Sequence, residues 1–259
     1  MLNKTLSLLT LILISPALCF AASTTSCYDV DDTSLMLHMD GTDESTTFTD
    51  SDNGAKSITA NGHAQIDTAK SQFGGASGKF DGTGDWLSFA DTDDIHFDTG
   101  AFTIDFWVYF ADVSASRSFL YQRQDATNEI VFFWNAAGTL DFTVQDAGSN
   151  VIAVSNAWSP SIDVWYHVTL LRTGNDFKMY VDGAQIGSTA TDASAVSNKT
   201  GAIGIGGRGD TGALPMHGWL DEYRIVKGVA IVPPSGGPSS AYTDCDAVRR
   251  RVVLMGGGN

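Results

Sequence analysis

Short segments in which apolar and polar residues alternate follow one another along most of the chain. The clearest is Phe102–Phe110, whose even-numbered positions are all apolar and whose odd-numbered positions are Thr103, Asp105, Trp107 and Tyr109. Successive side chains of a β-strand point to opposite faces of the sheet. The pattern therefore predicts a long strand with one face in a core and the other face partly solvated.

Similar segments recur, and each is bounded by Gly, Asp, Asn or Ser residues that favour turns. Asp182-Gly183 separates segments 177–181 and 184–187 and predicts a hairpin, because both central residues must tolerate positive φ. Further strands are predicted at 35–39, 77–80, 86–89, 119–123, 130–135, 139–145, 151–155, 165–172, 202–205 and 218–226. Since no segment predicts a helix, we expect one all-β domain, an antiparallel sandwich of two sheets.

The N-terminal residues predict export. Lys4 precedes an apolar run at 6–14, and Pro16 and the Cys19-Phe20-Ala21 triplet complete a signal-peptide pattern over residues 1–21. The run is shorter than the ~20 residues of a membrane span. We therefore expect an extracellular, cell-surface or periplasmic protein without a transmembrane segment in the mature chain. The alternative interpretation of residues 1–21 is a buried N-terminal strand.

Removal of the signal peptide leaves two of the three cysteines, Cys27 and Cys245. In an oxidising compartment, two cysteines far apart in sequence predict one disulfide that joins the first strand region to the last. Two free, buried thiols are the alternative.

Composition narrows the function classes. Hydrophobic residues make up 43% of the 259 positions, enough for a packed core, and the net charge is −15. Phosphate attraction needs the opposite sign of charge, so nucleic acid is excluded as a partner.

The C-terminal end changes character. Residues 233–240 form a loop rich in Pro, Gly and Ser, and residues 246–259 contain a basic cluster at 249–251 followed by an apolar run at 252–255. This tail is expected to be solvated and mobile. The alternative hypothesis is that this tail pairs with a second copy of the chain and that the protein is a structural subunit of a filament, surface layer or particle.

Seven segments in order resemble one family: 35–41, 73–82, 86–89, 102–108, 165–170, 179–183 and 219–225. The series is similar to laminin-G-like domains of the concanavalin A-like lectin and glucanase superfamily. The resemblance covers about residues 31–232 and implies a jelly roll of two large curved sheets, in a domain at 22–245.

The resemblance also bears on catalysis. Glucanases of that superfamily carry a Glu-x-Asp-x-x-Glu strand, which places carboxylates on one face. This chain has no such triplet: Asp105 stands alone, and Asp221 and Glu222 are adjacent, so they are expected to point to opposite faces. The scattered histidines are expected to be structural: His38, His63, His96, His167 and His217. We therefore predict that the protein is not an enzyme. A glycan-cleaving enzyme that depends on Asp105 is the third hypothesis, after a binding module and a structural subunit.

Related jelly rolls hold a structural calcium ion where strand ends meet. The resemblance implies Asp40, Gly41 and Asp221 as its ligands, and the acidic chain suits a cation that takes six to eight oxygens. The alternative is that Asp40 serves only a turn. Residues 91–94 form a weaker second candidate.

Sugar binding requires aromatic faces with polar neighbours. The candidates are Trp107, Tyr109, Trp134 and Trp158, and the tryptophans expected in the core are Trp86, Trp165 and Trp219. Arg208-Gly209-Asp210 matches an adhesion motif but is explained by turn chemistry. The sequence thus predicts an exported, non-catalytic recognition or adhesion module for a glycan or a surface protein.

Overall fold

The computed structural model describes residues 27–28, 32–52 and 54–244. Within these ranges the chain forms β-strands and one 3₁₀ turn, Asp93–Ile95, with no α-helix. The strands are β1 (Cys27–Tyr28), β2 (Thr33–Leu37), β3 (Thr59–Asn61), β4 (Gln65–Asp67), β5 (Ser77–Asp81), β6 (Trp86–Phe89), β7 (Phe102–Phe110), β8 (Arg117–Asp125), β9 (Asn128–Asn135), β10 (Thr139–Asp146), β11 (Ser149–Ala157), β12 (Trp165–Thr173), β13 (Asp176–Val181), β14 (Ala184–Thr191), β15 (Ile203–Ile205), β16 (His217–Lys227) and β17 (Thr243–Asp244). Each predicted segment overlaps one of these strands.

Two antiparallel sheets stack face to face, which confirms the predicted sandwich. In the described ranges the larger sheet has the order β14-β13-β12-β7-β16-β5-β4, with β2 paired to the second half of β16. The smaller sheet has the order β11-β10-β9-β8-β15-β6-β3. The predicted hairpin joins β13 to β14, with φ of 49° at Asp182 and 75° at Gly183.

Apolar side chains from both sheets fill the space between them. In β7 the even-numbered positions from Phe102 to Phe110 lie in this core, as the alternation predicts. Phe106 stacks on Tyr223 at 5.1 Å and contacts Phe119 of the smaller sheet at 4.8 Å, both measured between ring centroids. Aromatic contacts of this kind add about 0.5–1.5 kcal/mol each beyond area burial.

The odd-numbered face of β7 is more covered than the sequence predicts. Residues 229–244, which we call the C-terminal strap, cross the outer face of the larger sheet. The Thr103 hydroxyl donates to Val229 O at 2.9 Å and accepts from Ile231 N at 2.8 Å. Gly237 packs so closely that an added Cβ would stand 2.6 Å from His167 Cβ. The strap therefore covers part of a surface that was expected to be partly solvated.

The two ends of the described chain meet in a parallel pair, where Cys27 lies opposite Thr243 in the backbone register. Cys245 lies outside the described residues, so the disulfide stays a prediction. The signal peptide at 1–21, the tail at 246–259 and its self-association also lie outside the described residues. No helix in the described part of the chain is long and apolar enough to cross a membrane.

Candidate functional site

Three of the aromatic residues predicted to bind a ligand are buried. Trp107 is 5% exposed beneath the strap, and Tyr109 is 8% exposed. Trp134 is a core residue whose indole N–H donates to Trp158 O at 3.1 Å. Trp158 packs against the core and contacts Tyr166 edge to face. Neither Trp107 nor Trp134 presents a free ring face in this structure, because one is covered by the strap and the other points inward.

The tryptophans expected in the core lie elsewhere. Trp86, Trp165 and Trp219 are all partly exposed and none belongs to the core cluster. The reason is strand parity: Trp165 alternates with Tyr166, which packs against the core, and with the core residue Val168, so its ring points outward. The expectation for these three residues was therefore wrong, and two of them define the surface described next.

Side chains from five neighbouring strands form one line across the outer face of the larger sheet. Trp165 pairs with Tyr109, Tyr109 pairs with Trp219, Trp219 pairs with Lys79, and Lys79 pairs with Gln65. Directly opposed residues of antiparallel strands have Cβ atoms about 4.5–5.5 Å apart, so they form a continuous surface. We call Trp165, Tyr109, Trp219, Lys79 and Gln65 the aromatic row.

The three rings of the row support one another. The Tyr109 ring lies 5.5 Å from Trp165 and 5.4 Å from Trp219, and both contacts are edge to face. Tyr109 is thereby enclosed by two indoles, which explains its burial, while both indoles remain partly open to solvent. Because all three side chains stand on paired strands, their spacing is fixed before any ligand arrives.

Polar groups surround the rings. The Tyr109 hydroxyl donates to Asp163 at 2.9 Å, and the Trp219 indole N–H donates to Asp67 at 3.2 Å. The Lys70 ammonium lies 4.5 Å from the Tyr109 ring centroid. Burial alone would raise the pKa of Asp67, but hydrogen bonds from Ala69 N–H, Lys79 and Trp219 outweigh burial and lower it. The row thus combines apolar faces with an ionised acceptor and a cation at its edges.

Beneath the strap, the non-core face of β7 carries a buried ion pair. Asp105 accepts from Arg224 at 2.9 and 2.6 Å, and both residues are 2% exposed. Tyr242 of the strap donates its hydroxyl to Asp105 at 2.9 Å and stacks on the Arg224 guanidinium at 3.9 Å. Burial would lower the pKa of Arg224, but the charge of Asp105 raises it. The Asp105 carboxylate, on which the hypothesis of a glycan-cleaving enzyme depends, is therefore not accessible to a substrate.

Asp221 and Glu222 do not point to opposite faces, contrary to the sequence-based expectation. The register between β16 and β7 shifts between Asp221 and Arg224, and Glu222 adopts a φ of 49°. Such a bulge places two successive residues on one side of the strand. Asp221 accepts from Phe73 N at 3.0 Å, while Glu222 accepts from Tyr242 N at 2.8 Å, and both contacts lie on the outer side of the sheet.

Two of the three residues predicted to hold calcium, Asp221 and Asp40, lie close enough for their charges to interact. Asp221 is fully buried and accepts from the backbone of Gln72 and Phe73 with one oxygen, but its Oδ1 has no hydrogen-bond partner among the described residues. Burial raises the pKa of Asp221 to about 8, and the charge of Asp40 contributes. Asp40 is exposed and its carboxylate occupies the space above Gly74, next to Phe73; Gly41 follows it.

This donor set fits a hard cation. A buried carboxylate oxygen without a partner is costly, and a second carboxylate nearby adds repulsion that a divalent ion would remove. Asp40 leaves the site open to solvent on one side. The residues present are thus compatible with the calcium ion that the resemblance implies.

The other motifs have protein partners. Arg208 pairs with Asp210 inside its own turn, so the adhesion-like motif satisfies its own charges. In the 91–94 cluster, Asp91 contacts His96 at 3.0 Å and Asp94 contacts Lys56 at 3.3 Å. These contacts account for the motifs without a ligand.

Solved structures resemble this fold at low sequence identity. Domain 4 of AbnA, a GH43 extracellular arabinanase from Geobacillus stearothermophilus solved with arabinotriose, aligns with a TM-score of 0.59 and 16% identity over 77% of this chain and 94% of that chain. The binding domain of Paraclostridial Mosquitocidal Protein 1 aligns with a TM-score of 0.58 and 15% identity over 78% of this chain and 50% of that chain.

A third structure is that of botulinum neurotoxin type C, whose cell entry is dependent upon interaction with two ganglioside molecules. It aligns with a TM-score of 0.58 and 15% identity over 77% of this chain and 49% of that chain. This chain therefore spans about half the length of the two toxin chains that it matches. At such identities the likeness concerns the fold alone.

No curated protein matches the sequence. A family model of laminin G type (Laminin_G_3), described as the concanavalin A-like lectin/glucanases superfamily, matches residues 81–230. The matched region begins at the end of β5 and contains the strands that carry Trp165, Tyr109 and Trp219. The chain therefore belongs to the concanavalin A-like lectin/glucanases superfamily, through its laminin-G-like domain.

Proposed function

We propose that this chain is an exported, non-catalytic glycan-binding module whose contact surface is the aromatic row. The observation that carries the proposal is the register of Trp165, Tyr109 and Trp219, which places two partly open indoles on either side of a tyrosine. An indole face stacks on the apolar face of a sugar ring, and polar groups at the edge orient its hydroxyls. Asp67, Asp163 and Lys79 supply such groups.

The similar structures support this class of ligand without identifying it. AbnA domain 4 was solved with arabinotriose, and the type C neurotoxin interacts with gangliosides. Both ligands are carbohydrates or carry them. The burial of Asp105 also supports a non-catalytic role. The glycan-cleaving hypothesis requires this carboxylate, but it is ion-paired with Arg224 beneath the strap. A surface protein remains the alternative ligand.

The first test is binding of glycans by variants of the row. We expect a glycan array to identify a ligand and Trp165→Ala or Trp219→Ala to weaken its binding at least tenfold, which corresponds to about 1.4 kcal/mol. Each variant removes one stacking face while leaving the core intact. Isothermal titration calorimetry with the best array ligand measures the effect.

Phe133→Ala is the matched control, because Phe133 is a partly exposed aromatic residue that alternates with core residues on the smaller sheet. It should bind like the unmodified protein. Equal affinities for all variants, or a loss confined to Phe133→Ala, would place the ligand elsewhere and reject the row as the contact surface.

We further propose that Asp40 and Asp221 hold a structural calcium ion, with backbone oxygen near Gly41 as a further ligand. The ion would neutralise two carboxylates and fix the bulge of β16. After EDTA treatment, added calcium should raise the melting temperature of the unmodified protein. Asp221→Asn should abolish this increase and, without calcium, should be at least as stable, because burial disfavours the charged form of a carboxyl at this position.

Differential scanning calorimetry measures both effects. The control is Asp125→Asn, which changes an exposed carboxylate in the β8–β9 hairpin and should retain the calcium response. If the EDTA-treated unmodified protein shows neither heat of binding nor a change in melting temperature with calcium, the ion does not bind.

A further inference from the structure

A second group of potential metal ligands lies beside the aromatic row, two residues further along β5 than Lys79. His63, Asp81 and Asp85 each offer one ligand atom, and these atoms lie within 4.8 Å of one another. His63 Nδ1 is 3.3 Å from Asp81 Oδ2. That separation is close to the edge of a tetrahedron with ligands about 2.0–2.1 Å from a zinc ion. The sequence alone does not identify this group, since it predicts a structural role for His63.

The sheet register assembles the group. Asp81, at the end of β5, lies opposite His217 of β16. On the other side of β5, Gln65 of β4 pairs with Lys79. Because the two strands are antiparallel, continuing this register by two residues places His63 opposite Asp81. Gly82 leaves room for the His217 ring: an added Cβ would stand 2.8 Å from its Cγ. His217 thus lies beside the three ligand residues.

Backbone contacts fix the buried member of the group. Asp85 is fully buried, and its two carboxylate oxygens accept from His63 N at 2.5 Å and Asp81 N at 2.7 Å. The amides of both partner residues therefore hold Asp85 in place, which is the kind of support that orients metal ligands. Since a carboxylate oxygen has two lone pairs, these contacts leave acceptor capacity for an ion.

The group has the charge and the access that a divalent ion needs. Within the described ranges, neither Asp81 nor Asp85 forms an ion pair with a lysine or arginine. The side chains of His63 and Asp81 are 82% and 42% exposed, so an ion could enter from solvent and retain open positions. One imidazole and two carboxylates form a mixed nitrogen and oxygen set, which suits zinc better than calcium.

We propose that His63, Asp81 and Asp85 bind a divalent transition-metal ion of the zinc type, and that its open positions coordinate hydroxyls of the bound glycan. The second clause rests on the proposed function. Asp81 is two residues from Lys79 and His217 is two residues from Trp219, so the site lies about 7 Å beyond the row on the same face. The metal would extend the row's contact with a ligand.

The test titrates zinc into the tag-free full-length protein, freed of transition metals and kept in excess calcium so that Asp40 and Asp221 do not contribute. We expect one zinc ion per chain, and at least tenfold weaker binding by His63→Ala and by Asp81→Asn. The control is His96→Ala, because His96 also contacts two carboxylates, Asp91 and Asp93, and should leave zinc binding unchanged.

Circular dichroism of the exposed His63→Ala variant checks that the fold is retained. No zinc binding by the unmodified protein, or equal binding by His63→Ala, overturns the metal site. A glycan affinity that rises with zinc in the unmodified protein but not in His63→Ala supports the second clause, and an unchanged affinity overturns it. Failure of the Trp165 and Trp219 variants to weaken glycan binding would reject the row while leaving the zinc result intact.

Discussion

We expect Arg224→Met to lower the free energy of unfolding by about 3–5 kcal/mol, the cost of leaving one partner of a buried ion pair uncompensated. Asp105 would lose its two hydrogen bonds to the guanidinium and, among the described residues, would keep the Tyr242 hydroxyl at 2.9 Å and the more distant His167 Nε2 at 4.0 Å. The strap would also lose the cation that packs against the Tyr242 ring at 3.9 Å. Urea denaturation monitored by tryptophan fluorescence measures the loss.

Two controls separate this effect from loss of side-chain volume. The double variant Asp105→Leu with Arg224→Met removes both charges and should recover most of the stability, since a buried pair contributes little over apolar replacements. Arg208→Met breaks the partly exposed pair with Asp210 and should cost less than about 1 kcal/mol. If the free energy of unfolding of Arg224→Met lay within about 1 kcal/mol of that of the unmodified protein, the pair would not be buried, because breaking a buried pair costs more than this.

The second large effect is acid destabilisation through His167. Burial and, to a smaller extent, the charge of Arg224 lower the pKa of His167 to about 4, although Asp105 partly opposes them. An unfolded histidine binds its proton near pH 6.5. Between about pH 6.5 and 4 the unfolded state therefore holds more protons than the folded state, so stability falls as pH falls. The loss amounts to about 3 kcal/mol when it is complete.

His167→Gln should lose this dependence. From pH 7 to pH 4, the unmodified protein should lose about 3 kcal/mol of unfolding free energy relative to the variant. The difference is measured in excess calcium, so that changes at Asp221 cancel. The control His63→Gln alters a histidine that stays in contact with solvent and should retain the acid loss. A difference that does not change with pH would show that the His167 imidazole is not buried in neutral form.

The layers of the fold could be read from local pattern. Alternation in Phe102–Phe110 identifies its core face, and Asp182-Gly183 identifies a hairpin, because both depend on neighbouring residues only. The same parity would have placed Trp165 outside the core, since it alternates with core residues. The sequence therefore contains this signal, and at Trp165 strand parity is a better guide than the usual burial of tryptophan.

Other features depend on contacts distant in sequence. The strap covers Trp107 because Gly237 docks on it, 130 positions later, and a Pro- and Gly-rich segment carries no periodicity that announces such packing. The bulge at Asp221 appears only in the pairing of β16 with β7. His63 meets Asp81 through strand register, which alternation does not specify across a turn of unknown length.

We propose that the outer face of the larger sheet, beside the strap, binds the ligand. A crystal structure of the protein with its best glycan is the most direct test of this proposal. We expect a sugar ring stacked on Trp165 or Trp219, with hydroxyls within hydrogen-bond distance of Asp67, Asp163 or Lys79. A glycan bound on the smaller sheet around Phe133, with the aromatic row in contact with solvent only, would show that the ligand binds elsewhere.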